Sequence, residues 1–476
     1  MKNNRREFIK LTGIAGAGMV AGCSQQSNVT GISGAADPFP QTHRQSFNMS
    51  GYAAPKIDTV RVGIIGIGNR GRSMVRAFAL IDKVEIKAIS DVEPERVDWA
   101  INTLKDYPRH KPDTYTGSED AWKKLCERND IDLVYICTPW ALHTPMAVYA
   151  MEHDKHAATE RPFAKTVDEC WQLVETSERT RKHCSNMTQS AHSGLKAVAL
   201  NMVRQGFFGN IIHGEGCYIH ELNNDEYLFD KEGFHKMWRL KENGSRNGNL
   251  YTPSGIDGVA LMMDINCGEK LEYMVSVSGN DFSLGENAKE HAAGDSFYEP
   301  YVNMPYRGNM NVSVIRTNKG RTIMIQHDVS SPRPRPTSNS LISGTKGIFM
   351  FHNEAPAIAT NHMGWISEEE FKSLMDKYTP AMVKRYDELI GKYPEGARYV
   401  RPMDWRLIDC LRNGLPLDMS VYDGALWCSL SPLSEWSVAN SSNSVKIPDF
   451  TNGAWQTNKR GMDLELQNGG GTTKLG

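Results

Sequence analysis

Gly66-Ile67-Gly68-Asn69-Arg70-Gly71 spaces three glycines as a chain must if its backbone is to close around a diphosphate. Gly66 permits a tight turn, and Gly68 lets the main chain approach the pyrophosphate. Gly71 lets a helix pack close to the preceding strand, its N-terminus turned towards the negative charge. Asp91 ends the next apolar run, where a carboxylate accepts hydrogen bonds from an adenosine ribose and repels a 2′-phosphate. This chemistry predicts NAD over NADP as the ligand, although Arg70 and Arg72 place cations beside the loop.

The elements needed to hold that loop are legible around it. TVRVGIIGIG is a continuous apolar strand running into the glycines, and RSMVRAFALI follows with helical spacing. VEIKAISD is a second strand, and IDLVYICTP is a further buried run behind the helix-like AWKKLCER. Strands alternating with helices imply a parallel sheet with right-handed crossovers. From about Leu195 the texture changes: LKAVALNMVRQG is an amphipathic helix, and IIHGEGCYIHEL, EYMVSVSG, NVSVIRT and RTIMIQHDV alternate as strands with one packed face. The expected fold class is therefore α/β, with a doubly wound Rossmann domain over 58–190. An α+β domain with a large, open, mostly antiparallel sheet is expected over 191–437, for substrate and self-association. A C-terminal wrap and tail occupies 438–476.

A chain of 476 residues exceeds one hydrophobic core, which agrees with two domains. With 40% hydrophobic residues, 23% charged residues and a net charge of -2, nothing draws it to nucleic acid, and a small-molecule substrate is expected. No His/Asp/Glu cluster has ligand spacing, so no metal is expected. Arg5 and Arg6 precede Phe8 and Lys10, and an apolar run from Leu11 to Val20 leads into Ala21-Gly22-Cys23. That pattern reads as a twin-arginine signal over 1–23 ending in a lipobox, too short to span a bilayer. Cys23 would become the lipidated first residue, anchoring an exported, already folded protein to a bacterial membrane surface facing away from the cytoplasm. Residues 24–57, rich in Ser, Gln, Asn, Gly and Pro, read as a flexible tether. The other eight cysteines are scattered and are expected to be buried free thiols.

Beyond the glycine loop, CTPWALHTPMAVYAMEHDKHAATERPFAKT resembles the Gfo/Idh/MocA oxidoreductases, in which a TP-containing strand end and an E-K-P strand end flank the nicotinamide. More narrowly, HGEGCYIHEL, MWRLKENGSRNGNLY, QHDVSSPRP, DWRLIDCLRNGLPLD and PLSEWSVANSSNSVKIPDF resemble glycoside hydrolase family 109. The resemblance implies an α-N-acetylgalactosaminidase-like activity on a carbohydrate with NAD held in the protein. Transient oxidation of a sugar at C3 would acidify C2, allow elimination at C1, and be reversed after water adds. Such chemistry is one of the exceptions to the two-carboxylate glycosidase plan. It also implies roles for residues. Asn69, Arg70 and Asp91 would hold the adenosine half of NAD. Trp140, His143, Glu160, Arg161 and Gln189 would contact the cofactor further along. Tyr218, Arg239, Tyr251, Ser254 and Tyr306 would face the sugar.

Three positions depart from the resemblance, and ARYVRP replaces the HGGM-like run expected before DWRLIDC. Arg161 stands in TERP where the oxidoreductases carry Lys; always protonated, it stabilises an oxyanion and cannot act as a base. QSAHS replaces an N-C-C-Y run and puts His192 where a tyrosine is expected. YTPSG puts Ser254 where a histidine is expected. His192 becomes the leading acid/base candidate, with Tyr218, Tyr251 and Asp257 behind it. The leading function is an NAD-dependent glycosidase. One competing reading is a sugar 3-dehydrogenase that releases a 3-keto product, and another is a surface sugar-binding protein with relic NAD.

Overall fold

The computed structural model describes residues 34–476 apart from 189–191, 193, 335–338, 353–355, 394, 395, 397, 471 and 472. Cys23, the twin-arginine segment and Gln189 lie outside the described residues. Residues Ala36–Gly476 group as one compact unit, and of Met1–Ala35 only residues 34 and 35 are described.

The first layer grows from strands that are apolar on both faces, as a sheet covered by helices requires. Its strands are β1 (Val60–Ile65), β2 (Val84–Ser90), β3 (Asp113–Tyr115), β4 (Leu133–Ile136), β5 (His156–Glu160) and β6 (Cys184–Met187). They lie in the order β3-β2-β1-β4-β5-β6, with every pairing parallel. Helix α1 (Asn69–Leu80) follows β1 and buries Met74, Val75 and Phe78. Helices α2 (Pro94–Leu104), α3 (His143–Glu152) and α4 (Val167–Thr180) complete the part that matters here. A capping box fixes the start of α4, with Thr166 and Glu169 each satisfying the other's backbone N–H. The strand order reverses between β1 and β4, which places the open crevice at their carboxyl ends.

The second sheet has eight strands: β7 (Ile211–Ile219), β8 (Leu271–Ser278), β9 (Asn311–Thr317), β10 (Thr322–Asp328), β11 (Asn339–Gly344), β12 (Gly347–His352), β13 (Ala357–Ala359) and β14 (Val445–Lys446). Their order is β13-β12-β11-β7-β10-β9-β8-β14, antiparallel except for the β7/β10 pair. Helices α5 (Trp238–Ser245) and α6 (Thr252–Met262) follow β7, and α7 (Pro402–Asn413) and α8 (Val421–Ala439) come late in the chain. Helix α6 lies directly on β7: a Cβ at Gly216 would stand 1.7 Å from the Gly255 carbonyl oxygen, so only glycine allows this approach. Helix α8 packs on α4 and β6 of the first layer and on β8 and α6 of the second, which ties the two sheets together.

One of the expected segments behaves differently from its sequence texture. Residues 36–57 lie against the body. Ala36 bridges to Val445, the Met49 N–H donates to the Tyr422 hydroxyl at 3.1 Å, the Ser46 N–H donates to Glu178 at 2.8 Å, and Met49 and Ala54 are buried. A polar stretch is held because distant side chains satisfy its backbone, which local composition does not reveal. The segment expected as a tail contributes β14 and then crosses to the first layer. There Leu475 pairs with Ile81 and the Thr473 carbonyl accepts from the Trp405 indole at 3.1 Å. None of the eight described cysteines forms a disulfide.

Candidate active site

The glycine loop has the geometry its sequence demands. Gly66 sits at φ +87, and a Cβ there would meet the Cys137 main chain at 2.9 Å; a Cβ on Gly71 would lie 1.9 Å from the Gly66 carbonyl oxygen. Helix α1 starts with no side-chain cap and no acidic residue in its first turn, so its first N–H groups are left for an anion. Asp91 holds the loop from the next strand: Oδ2 accepts the Ile67 N–H at 2.5 Å and Oδ1 the Glu93 N–H at 2.9 Å. This donor set fits a pyrophosphate and a ribose. Asp91 therefore shapes the loop as well as facing it.

Glu160, at the carboxyl end of β5, collects cations. Its Oε1 accepts from Arg401 at 2.9 Å and from the Tyr135 hydroxyl at 3.1 Å, and its Oε2 pairs with Arg70 at 3.3 Å. Burial alone would raise its pKa, but the charges of Arg401, Arg70 and Arg161 outweigh burial and hold it at about 2. Arg401 also grips Asp404, at 2.7 and 2.9 Å. Sequence reasoning missed Arg401, which comes from the ARYVRP run.

Beside this carboxylate stands a wall of aromatic rings and guanidinium groups. Arg161 Nε donates to the Tyr251 hydroxyl at 3.3 Å, and Arg239 Nη2 donates to the Tyr218 hydroxyl at 3.3 Å. The two phenol rings lie 4.1 Å apart by centroid, with Trp140 5.7 Å from Tyr251 and Trp238 5.3 Å from Trp140. The Arg239 guanidinium also sits 5.7 Å from the Trp140 and Tyr251 ring centres. Burial raises the Tyr251 pKa, opposed by Arg161 and Arg239, so the phenol is protonated at neutral pH. His327 lies behind Tyr218; burial and then Arg307 and Arg239 keep it well below the usual histidine range and therefore neutral. Trp238 and His327 went unmarked in the sequence, where each reads as an ordinary core residue.

Other expected residues fall elsewhere. His143 is buried with Nδ1 2.7 Å from the Pro162 carbonyl and Nε2 2.8 Å from the Thr138 carbonyl. It brackets the two strand ends and presents no nitrogen to a ligand, in contrast to the cofactor contact expected of it. His192 is turned to Asp418, at 2.9 Å, and Asp418 is held in turn by Arg406 at 2.9 and 3.1 Å. His192 lines a small pocket with Met187, Met403, Cys410 and Met419, and the lining of that pocket includes none of the aromatic wall. Asp257 is fully buried in α6, with Oδ1 accepting the Gly258 N–H at 2.7 Å. Ser254 Oγ is buried without a hydrogen-bond partner, three residues from Tyr251 on the same helix start. The Tyr306 hydroxyl donates to the Tyr301 carbonyl at 2.8 Å inside a neighbouring apolar cluster, not towards the sugar as expected. Among the described residues, no group of three His, Cys, Asp or Glu side chains is placed to hold a metal ion.

The profile described as oxidoreductase family, NAD-binding Rossmann fold, matches residues 60–188, and that described as glycosyl hydrolase 109, C-terminal domain, matches residues 195–457. Among solved structures, levoglucosan dehydrogenase in complex with NADH superimposes with a TM-score of 0.58 at 18% identity, covering 82% of this chain and 100% of that one. An oxidoreductase domain protein from Kribbella flavida gives 0.59 at 16% identity with the same coverage. At such identities the likeness is one of fold. The chain is thus an enzyme built on an NAD-binding oxidoreductase fold, with NAD as its cofactor. A glycosyl hydrolase family 109 protein of Shewanella pealeana is 42% identical over 471 residues, 96% of this chain and 98% of that protein. The alpha-N-acetylgalactosaminidase of Shewanella oneidensis is 41% identical over 469 residues, 95% of this chain and 97% of its own length. This chain belongs to glycoside hydrolase family 109.

Proposed function

We propose that the protein removes a sugar residue, of the α-N-acetylgalactosaminide type or close to it, by a redox-neutral elimination and hydration. Bound NAD supplies reversible hydride transfer at sugar C3, which acidifies C2–H, lets the C1 substituent leave and, after water adds, restores C3 with no net consumption of cofactor. Arg161, fixed between Glu160 and Tyr251, stabilises negative charge developing on the C3 oxygen. Tyr251 and Tyr218 handle protons, each phenol oxygen accepting a hydrogen bond from a guanidinium. Trp140 and Trp238 offer apolar faces to the CH groups of a pyranose and exclude water from the reacting carbons. The observation that carries this reading is the paired donation from Arg161 to Tyr251 and from Arg239 to Tyr218 across rings 4.1 Å apart, next to the Glu160 strand end.

One observation favours a second reading. His192 pairs with Asp418 through Nε2 and leaves Nδ1 without a partner, and Ser254 stands where a histidine was expected, so the imidazole that the resemblance places at that second position is missing. A 3-dehydrogenase that releases a 3-keto sugar and passes the electrons of NADH to an external acceptor needs a base for the C3 hydroxyl proton and none for C2–H. Incubating the NAD-loaded protein with aryl glycosides in deuterated water separates the two. Phenol release with deuterium at C2 and no added acceptor supports the hydrolase. A single turnover that stalls until an acceptor is supplied supports the dehydrogenase.

The twin-arginine pattern and Cys23 extend the proposal to location: an enzyme exported with its cofactor and lipid-anchored to a membrane surface, where a self-regenerating NAD needs no local supply. Fractionating cells that produce the wild type and Cys23→Ser tests this, since membrane association should vanish in the variant.

A further inference from the structure

Residues 230–237, DKEGFHKM, leave the second sheet and reach across to the adenosine side of the glycine loop. The root of this segment is fixed: Leu228, Phe229 and Met237 are buried in an apolar cluster, and the Phe229 carbonyl accepts from the Tyr298 hydroxyl at 2.6 Å. Its turn is set by Asp230, whose Oδ1 accepts the N–H of Glu232 at 3.1 Å and of Gly233 at 2.7 Å. Lys236 and Met237 then take left-handed backbone angles, φ 54 and 53, which send the chain directly into Trp238 and Arg239 of the aromatic wall.

The tip meets the first layer through three polar contacts. Arg96 of α2 donates from Nη2 to the Glu232 carbonyl at 3.1 Å. His235 Nδ1 pairs with Glu93 at 2.9 Å, and Lys236 Nζ pairs with Glu119 at 2.9 Å. The other terminal nitrogen of Arg96, Nη1, stands 3.5 Å from the position a Cβ would take on Gly68, the residue whose missing side chain admits the pyrophosphate. One guanidinium therefore spans the phosphate-facing glycine and the strap above it. Glu93, paired with His235, is the residue whose N–H is held by Asp91. The same segment thus connects the ribose-side carboxylate at one end with the nicotinamide-side tryptophans at the other.

We propose that residues 230–237 form a retention strap over the adenosine end of the NAD groove, with Arg96 as a cofactor-binding clamp contacting the pyrophosphate from beneath it. This rests on NAD lying along the glycine loop. The strap's own contribution is kinetic: the dinucleotide leaves when the exposed contacts of His235 and Lys236 open, and is otherwise enclosed. A cofactor that must be regenerated in place, cycle after cycle, requires such slow release.

The test is cofactor exchange and does not depend on turnover. The holoenzyme is loaded with NADH and chased with excess NAD, and the loss of bound-NADH fluorescence gives the release rate. His235→Ala/Lys236→Ala should release NADH about fivefold to tenfold faster than wild type, the combined effect expected of losing the His235–Glu93 contact and the exposed Lys236–Glu119 ion pair. Arg96→Ala should release it at least about tenfold faster, as loss of a charge-assisted contact predicts, and Arg96→Lys should recover part of the loss. Glu286→Ala/Lys289→Ala, which removes an exposed pair on another helix, should leave release unchanged. Release from the His235/Lys236 double variant within about twofold of wild type would overturn the strap, since less than about 0.4 kcal/mol would then separate the two. Wild-type protein that takes up no NADH would instead overturn the cofactor placement on which the strap depends.

Discussion

Nη2 of Arg401 lies 2.9 Å from Oε1 of Glu160, and both side chains are buried. The carboxylate that ends β5 is thereby kept ionised, and through its Oε2 it steers Arg70 at the start of α1. Arg401→Met should strip the main counter-charge from both Glu160 and Asp404. Removing one partner of a buried pair costs about 3–5 kcal/mol, so a large fall in thermal midpoint is expected, together with weaker NAD binding because Arg70 is no longer held by a fixed carboxylate. Differential scanning calorimetry with and without NAD checks both effects. A midpoint within about 2 °C of wild type would show that the network carries little stability.

Acid provides an independent probe of the same network. Glu160 is held at about 2 in the folded chain, below the ordinary glutamate value of 4.5. A depressed carboxylate stabilises the fold at pH above its unfolded value and loses that contribution as pH falls through the folded value, so the loss belongs between about pH 4.5 and pH 2, and the shift corresponds to about 3 kcal/mol. Urea unfolding across that window should show a smaller acid loss in Arg401→Met than in wild type.

Tyr251→Phe removes the hydroxyl that receives the Arg161 Nε–H and leaves the ring in its place against Tyr218. If the phenol handles a proton, kcat should fall by about 10²–10⁴-fold, with NAD occupancy kept and KM little changed. Deuterium exchange at C2 should fall in parallel. A variant that hydrolyses aryl glycosides at the wild-type rate would transfer the proton role to Tyr218.

His192→Ala separates position in sequence from position in space. Nε2 faces Asp418, which Arg406 still grips from two nitrogens, while Nδ1 has no partner; a purely structural His192 would cost stability and not turnover. A kcat within a few-fold of wild type, with a thermal midpoint lowered by several degrees, fits this arrangement. A loss of about 10²-fold or more in kcat at unchanged stability would restore His192 as the acid/base group.

The sequence-legible parts of the site are those whose chemistry is local. The three glycines, the strand before them, the helix after them and Asp91 lie within one βαβ unit, and their roles follow from spacing. Tyr218, Arg239 and Tyr251 were reachable only through resemblance, because nothing local says that three residues on β7, α5 and the head of α6 share one wall. Arg401 was not reachable at all, since 241 residues separate it from Glu160 and its segment departs from the resembling family. His192 shows the converse case. Its alignment with a proton-handling position was readable, but its orientation is decided by Asp418, 226 residues away.

Asp91→Asn tests whether the second-strand carboxylate acts on the cofactor directly or through the loop. Its two oxygens already accept the Ile67 and Glu93 N–H groups, so an amide in the same place must turn its NH2 towards one of those donors. The loop then loses a charge-assisted bond and gains a donor facing a donor, at a cost of about 1–3 kcal/mol, or about tenfold to a hundredfold in NAD affinity. If the carboxylate served only to repel a 2′-phosphate, removing its charge would leave NAD binding intact and raise NADP binding. If it shapes the loop, affinity for both dinucleotides should fall together. Titration calorimetry with NAD and NADP distinguishes the two outcomes, and the backbone contacts at 2.5 and 2.9 Å predict the second.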